Sequence, residues 1–329
     1  MVLLSSFLSS QGLRNQHLHP LAGDASGRQY YRLTTANGQP TGQLVMDVKE
    51  DRDSALAFRK MASLLSDAGL TVPAISAVSE DGRYMLIEDF GDVVFSTLFD
   101  DPATERKLVD LACEVLITLQ GQINPTDHSF LPIFDRTLFA TQADLLPAEL
   151  ALRNDAPSDD GILAAFQDAL RPLLGQIERL PTTLMLRDYH AENLIWLPER
   201  AGVRACGLLD FQDAGIGPIG YDLVSLLEDA RRNIDPVCQK TQVARYRDCL
   251  PAAARENFPT CYDALAVVRH LRVIAVFLRL ARLGKPEYLK HLPRIWRYLE
   301  GRLDNSATSA LTAWLNENFS EKVRQEICG

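Results

Sequence analysis

Leu186-Arg187-Asp188-Tyr189-His190-Ala191-Glu192-Asn193, followed by Leu209-Asp210-Phe211-Gln212-Asp213, is the stretch that decides how this 329-residue chain is read. An aspartate, an asparagine five positions on and a second aspartate at the end of a β run converge if the residues between them form a tight loop and two paired strands, Asn193 to Leu197 and Cys206 to Asp210. Asn193 and Asp210 then offer hard oxygen ligands suited to magnesium, while Asp188 stands ready to accept or orient a hydroxyl proton. That combination is the working set of phosphoryl transfer, in which the metal sits against nucleotide phosphates.

Working outward, the chain changes character near residue 90. From about His17 to Glu88 it reads as strands broken by one helix. Arg28 to Thr34 and Gln43 to Val48 alternate across the turn-rich Ala36 to Pro40, and Ala74 to Val78 and Tyr84 to Glu88 flank Glu80-Asp81-Gly82. Between them, Asp53 to Ala68 carries apolar residues at helical spacing and stops at Gly69. After Asp92 amphipathic helices take over: Thr104 to Gln122, Asp135 to Leu146, Asp159 to Arg179, Tyr221 to Arg231, Pro236 to Cys249, Pro259 to Arg282 and Tyr288 to Leu303. The expected class is therefore α+β, with a small antiparallel sheet in an N-terminal lobe (1–90), a mostly helical C-terminal lobe (91–329) and a cleft at the join.

Composition removes several classes. Hydrophobic residues at 47% and charged residues at 23% describe an ordinary folded protein. Thirty-four basic against 43 acidic residues leave a net charge of −9, which argues against a nucleic-acid partner. Six cysteines without C-x-x-C or zinc spacing read as thiols in a reducing compartment. The apolar N-terminal run Leu3, Leu4, Phe7 and Leu8 fits one helical face, without a basic n-region or small-residue cleavage site, and no window reaches the ~18 apolar residues of a membrane span. A cytoplasmic location with no membrane partner is the expectation.

Gly215-Ile-Gly217-Pro-Ile-Gly220 matches G-x-G-x-x-G. However, Pro218 removes a backbone donor and no second parallel strand follows, so a dinucleotide fold is unsupported and the glycines read as a turn beneath the metal site. Only 11 residues separate Asp210 from Asp222, too few for a peptide-docking activation segment, and the acceptor should be a small molecule.

With Gly220-Tyr221-Asp222-Leu223 added, these motifs resemble the aminoglycoside phosphotransferase and choline kinase superfamily, a protein-kinase-like two-lobe fold, from about residue 20 to 280. Leu21 to Arg32, Met46-Asp47, Leu186 to Leu194 and Leu209 to Ala214 look most like the anomeric amino-sugar kinases of bacterial peptidoglycan recycling, which act on N-acetylmuramate and N-acetylglucosamine. The resemblance implies Asp188 as catalytic base, Asn193 and Asp210 as Mg2+ ligands, and Asp222 as a brace for the catalytic loop. It also implies a phosphate-covering loop containing Ser26, Gly27 and Arg28, and a hinge at Glu88 to Phe90 whose main chain meets the purine of ATP or GTP. His190 would bond a sugar hydroxyl or brace the loop; Arg187 and Asp213 would touch the acceptor or form local salt bridges. An Arg among 269, 272, 279 and 282 would meet an acceptor carboxylate, or the four form a solvated face.

The family's strand-three Lys is absent. Its position reads as Asp47, and the following helix has no Glu in its body to pair with such a Lys. Arg28, Arg32 or Lys49 are left to neutralise phosphate. Alternatives to the amino-sugar reading are phosphorylation of a 6-hydroxyl, of an aminoglycoside or of a choline-like acceptor, and a non-catalytic nucleotide-binding protein.

Overall fold

The structure is a computed structural model that describes residues 3–21, 27–123, 129–153, 159–320 and 323–325. By contact density the chain divides into two compact units that interleave in sequence: 1–122 with 191–214, and 123–190 with 215–329.

The first unit is built on an antiparallel sheet. Helix α1 (Leu4–Ser10) precedes β1 (His17–Pro20), β2 (Gln29–Thr34), β3 (Pro40–Asp47), α2 (Arg52–Asp67), β4 (Ile75–Val78) and β5 (Tyr84–Glu88), with the strands in the order β1-β2-β3-β5-β4. Alternation in the sheet separates two faces. Leu33, Val45, Tyr84 and Leu86 pack on Phe7 and Leu8 of α1. Tyr30, Leu44 and Ile87, on the other face, share a cavity with Phe58 of α2. Asp51 caps α2 by accepting from the Ser54 amide at 2.9 Å, and Ala55, Phe58, Met61, Ala62 and Leu65 form its buried stripe. Helix α3 (Pro102–Gln122) follows, and this unit also holds the hairpin of β7 (Leu194–Trp196) and β8 (Cys206–Leu208). The Leu208 amide donates to the Thr71 carbonyl at 2.8 Å and the Trp196 amide to that of Val93 at 2.9 Å, so the hairpin is fixed to the segments flanking the sheet.

The second unit contains α4 (Arg136–Ala143), α5 (Leu145–Arg153), α6 (Asp160–Ile177), β6 (Thr182–Met185), β9 (Gly215–Pro218), α7 (Tyr221–Leu227), α8 (Pro236–Asp248), α9 (Ala252–Arg255), α10 (Phe258–Arg282), α11 (Leu292–Glu300) and α12 (Ser309–Asn318). Helix α10 is the axis, with α4, α5, α6, α7 and α11 packed around it.

Three expectations from the sequence are corrected. The helix expected over Asp135 to Leu146 ends at Ala143, and a second begins at Leu145, because Pro147 has no amide hydrogen to bond the Ala143 carbonyl. The helix expected from Tyr288 is a 3-10 turn, Pro286–His291, before α11, whose first turn contains Pro293. Gly215 to Pro218 is a strand paired with Thr182 to Met185, and the turn is confined to Gly220, at φ 92°. Both glycines of β9 are needed for close approach: a Cβ on Gly215 would lie 2.5 Å from the Phe134 ring and the Pro132 carbonyl oxygen, and one on Gly217 would lie 2.8 Å from the Met185 sulfur.

Candidate active site

Asn193 and Asp210 are brought together on the wall of one cavity in the first unit, with a volume of about 360 Å³. The hairpin brings them there: Asn193 immediately precedes β7, and its carbonyl accepts from the Leu209 amide, just past β8, at 2.9 Å. Asp210 takes the left-handed conformation, φ 55°, which a short polar side chain tolerates better than most. Gln212 donates its Nε2 to Asp210 Oδ1 at 2.8 Å. The rest of the wall is an apolar slot that includes Leu44, Phe58, Ile87, Phe90 and Phe211, with Phe58 and Phe211 stacked at 5.0 Å between centroids. Such a slot suits a flat heterocycle.

Glu88 and Phe90 line this slot at the end of β5. The amides of Glu88 and Asp89 are engaged by the carbonyls of Ala74 and Gly42, both at 2.9 Å, so of the three donors expected at the hinge only that of Phe90 has no partner among the described residues. The Glu88 carboxylate pairs with Arg200, whose guanidinium lies 5.2 Å over the Phe90 ring, and a Cβ on Gly207 would lie 2.9 Å from that ring. Gly27 is exposed at φ 76° in the loop before β2. Ser26 lies outside the described residues.

The strand-three position needs a correction of one residue. Register pairs Tyr30 with Met46 and Leu44 with Ile87, so the cavity-facing positions of β3 are Leu44 and Met46, and Asp47 points to the opposite face. There Asp47 is clamped by Arg83, at 2.8 and 2.9 Å, and by the Lys49 amide at 2.8 Å. Burial alone would push this carboxyl up; the Arg83 and Lys49 bonds hold it below its ordinary value. The three candidate cations separate clearly. Arg32 is bidentate to both Asp89 and Asp92, which hold it fully charged. Lys49 is exposed. Arg28 is buried at 5% exposure.

Asp188 belongs to the second unit, in the turn after β6. Asp222, at the start of α7, accepts from the Leu186 amide at 2.6 Å and the Arg187 amide at 2.9 Å. It thereby fixes a turn in which Arg187 is left-handed, φ 71°, a conformation that costs about 1–3 kcal/mol without such support. Burial raises the Asp222 carboxyl to about 7, against the pull of those two amides. Arg187 lies over the Phe134 ring at 4.9 Å.

Arg187, Asp188 and His190 line a second cavity, of about 160 Å³, with Arg231, Arg269 and Arg272. Burial is the main cause that lowers His190 to about 4, with Arg231 adding to it, so its imidazole is neutral at physiological pH. The solvated-face reading of the helix arginines holds for exposed Arg279 and for Arg282, which pairs with Glu149 at 2.8 Å. Arg269 and Arg272 instead face this cavity. Arg269 is 7% exposed and donates to the Ser225 hydroxyl at 2.9 Å and the Glu228 carbonyl at 3.4 Å. Arg272 donates to the Tyr221 hydroxyl at 3.1 Å, and Tyr221 and Asp188 both favour its charge. Asp213 is exposed and lines neither cavity. Sequence reasoning missed Arg231 and Tyr288 on this wall, and Ser54 as the partner of Arg28; a basic residue just beyond α7 was the only available signal.

Among the described residues no group of three or more His, Cys, Asp and Glu side chains could hold a metal ion. Asn193 and Asp210, two hard oxygen donors on one wall, are the residues that would hold a magnesium ion there.

A five-stranded antiparallel sheet with its helix in one unit, a helical bundle carrying an Asp-braced loop in the other, and an Asn/Asp pair delivered by a hairpin define a kinase-type phosphotransferase. The chain belongs to the phosphotransferase enzyme (APH) family, whose model matches residues 17–258. It is 31% identical to the N-acetylmuramate/N-acetylglucosamine kinase of Caulobacter vibrioides, over 98% of this chain and 97% of that one. It is also 31% identical to the protein of the same name from Pseudomonas aeruginosa, over 86% of this chain and 82% of the relative. Among solved structures, the ADP-bound aminoglycoside phosphotransferase APH(2'')-Ib superposes with a TM-score of 0.61 at 15% identity, covering 90% of this chain and 97% of that one, which speaks for the fold. No helix among the described residues is long and apolar enough to cross a membrane.

Proposed function

We propose that this protein transfers the γ-phosphoryl group of ATP or GTP to the anomeric hydroxyl of an acidic amino sugar, N-acetylmuramate, and of its neutral counterpart N-acetylglucosamine. The observation that carries the reading is the company Asp188 keeps: the candidate base shares its cavity with four arginines. A wall of guanidinium groups favours an acceptor with a carboxylate, such as the lactyl group of N-acetylmuramate, and opposes polycationic aminoglycosides or a choline-like headgroup. Arg272 is the best placed of the four to meet that carboxylate: it is half-buried, whereas Arg269 is buried with its guanidinium donating to the Ser225 hydroxyl and the Glu228 carbonyl, and Arg231 pairs with Asp229. The relatives' names agree with such an acceptor.

Asp188 accepts the acceptor's hydroxyl proton as the oxygen attacks phosphorus, and Asp222 holds the loop that aims it. Neutral His190 offers the sugar one hydrogen bond without adding charge. In the first unit a nucleotide's base would stack in the apolar slot, with the Phe90 amide as donor to its edge, and Asn193 and Asp210 would hold magnesium. The metal would supply positive charge against the phosphate oxygens, whose load grows on the departing nucleoside diphosphate. The test is an acceptor panel with ATP and with GTP: N-acetylmuramate, N-acetylglucosamine, glucosamine, choline and kanamycin. Turnover restricted to the two N-acetylated sugars is expected. Turnover of kanamycin or choline at a higher kcat/KM than either sugar would overturn the assignment.

A further inference from the structure

A polyphosphate brought to Asn193 and Asp210 needs a cation beyond magnesium, yet the cavity-facing side of β3 offers only Leu44 and Met46. Arg32 is already neutralised by two aspartates, and Lys49 is exposed. We propose that Arg28 is the phosphate-binding cation of this enzyme, delivered from the start of β2 and anchored by Ser54 of α2, in place of a lysine on β3 and a glutamate on the following helix.

Four observations carry this. Gln29 pairs with Asp47 and Tyr30 with Met46, so Arg28 begins the same face as Tyr30, which lines the cavity, and stands one strand over from the missing lysine. Its guanidinium is buried, and its Nε and Nη2 donate to the Ser54 hydroxyl at 3.2 and 2.7 Å. Its Nη1 lies 4.0 Å from Asp210 Oδ1, beyond hydrogen-bond reach of the carboxylate that would share the metal. A buried guanidinium needs a close counter-charge, as Asp47 supplies for Arg83; among the described residues Arg28 has a neutral hydroxyl and a carboxylate held off at 4.0 Å. A phosphate oxygen beside Asp210 would complete it, with the forked donors that suit phosphate. The residues concerned all lie in the first unit, so the arrangement is complete without reference to the acceptor.

The inference rests on the reading of the 360 Å³ cavity as the nucleotide site, and the experiment separates the two. Calorimetric titrations of wild type, Arg28→Met and Arg28→Lys with ADP and with adenosine, and in parallel with GDP and guanosine, are run in EDTA and again with magnesium. For Arg28→Met, diphosphate binding should weaken at least about tenfold in EDTA as well as in magnesium, the scale of losing a charged hydrogen bond, while the nucleoside binds within about twofold of wild type. Arg28→Lys, which keeps the charge but not the fork or the two bonds to Ser54, should recover only part of the diphosphate affinity. Equal weakening of nucleoside and diphosphate would mean that Arg28 only supports the fold, and weakening seen only with magnesium would mean that it acts through Asp210; either result overturns the proposal. Unchanged diphosphate affinity would overturn it too, and a wild type that binds neither ligand would overturn the nucleotide reading with it.

Discussion

Adding one methyl group to Gly215 tests whether the Gly215-x-Gly217-x-x-Gly220 stretch serves packing or phosphate. In Gly215→Ala the new Cβ would sit 2.5 Å from Phe134 Cε2 and from the Pro132 carbonyl oxygen, about 0.9 Å inside the 3.4 Å at which ordinary contact begins. Neither neighbour yields easily. The Pro132 carbonyl accepts from the Ile216 amide at 2.8 Å, the Phe134 amide donates to the Ile216 carbonyl at 2.7 Å, and the ring carries Arg187 above it. Overpacking costs about 1–3 kcal/mol, and two fixed neighbours put this site near the upper end, about 3 kcal/mol. At ~2.1 cal/mol/K of unfolding entropy per residue, 329 residues give ~0.7 kcal/mol/K, so the Tm should fall by about 4 °C if the chain unfolds as one unit. The assay is thermal unfolding followed by ADP titration at a temperature where the variant is folded. A lowered Tm with ADP affinity within about twofold of wild type is expected. An unchanged Tm with ADP binding abolished would refute the packing argument and return the glycines to phosphate binding.

Gly175→Ala should do the opposite. A Cβ there meets nothing within 4 Å inside α6, so denaturant unfolding should show a gain of about 0.5–1 kcal/mol from helix propensity. Arg272→Ala should raise the KM for N-acetylmuramate at least about tenfold and leave that for N-acetylglucosamine within about threefold, measured with nucleotide saturating. His190, lowered by burial from 6.5 to about 4, favours the unfolded chain once that chain takes up a proton. Its contribution to stability is therefore intact above about pH 6.5 and lost as pH falls towards 4, and His190→Gln should flatten the pH dependence of urea unfolding within that window.

Much of this molecule was legible in the sequence because its signals are local. Alternation and turns announced β2, β3, β4 and β5, and the apolar spacing of α2 and α10 fixed helices within a few residues of where they lie. The Asp188/Asn193/Asp210 spacing announced a hairpin that sets two of the three on one wall. What escaped depends on partners distant in sequence. Strands β6 and β9 are four residues each, and two glycines and a proline in β9 look like a turn until Thr182 to Met185 is seen beside them. A single-residue choice of register decided whether Asp47 or Met46 faced the cavity, since neighbours on a strand point to opposite faces. The arginines of α10 sit among apolar residues on a helix packed on nearly all sides, so periodicity could not separate Arg272 at a cavity wall from Arg279 in solvent. Arg28 and Ser54 are 26 residues apart, and no motif joins them.

The central claim, a kinase in which Asp188 takes the acceptor proton, is tested most directly by single-turnover phosphoryl transfer from radiolabelled ATP to N-acetylmuramate, comparing wild type with Asp188→Asn under saturating ligands. The account predicts sugar phosphate formed by the wild type and a transfer rate at least about a hundredfold lower in the variant, with ADP affinity unchanged. Equal rates in the two proteins, or a wild type that binds ADP and N-acetylmuramate yet transfers no phosphate, would contradict it.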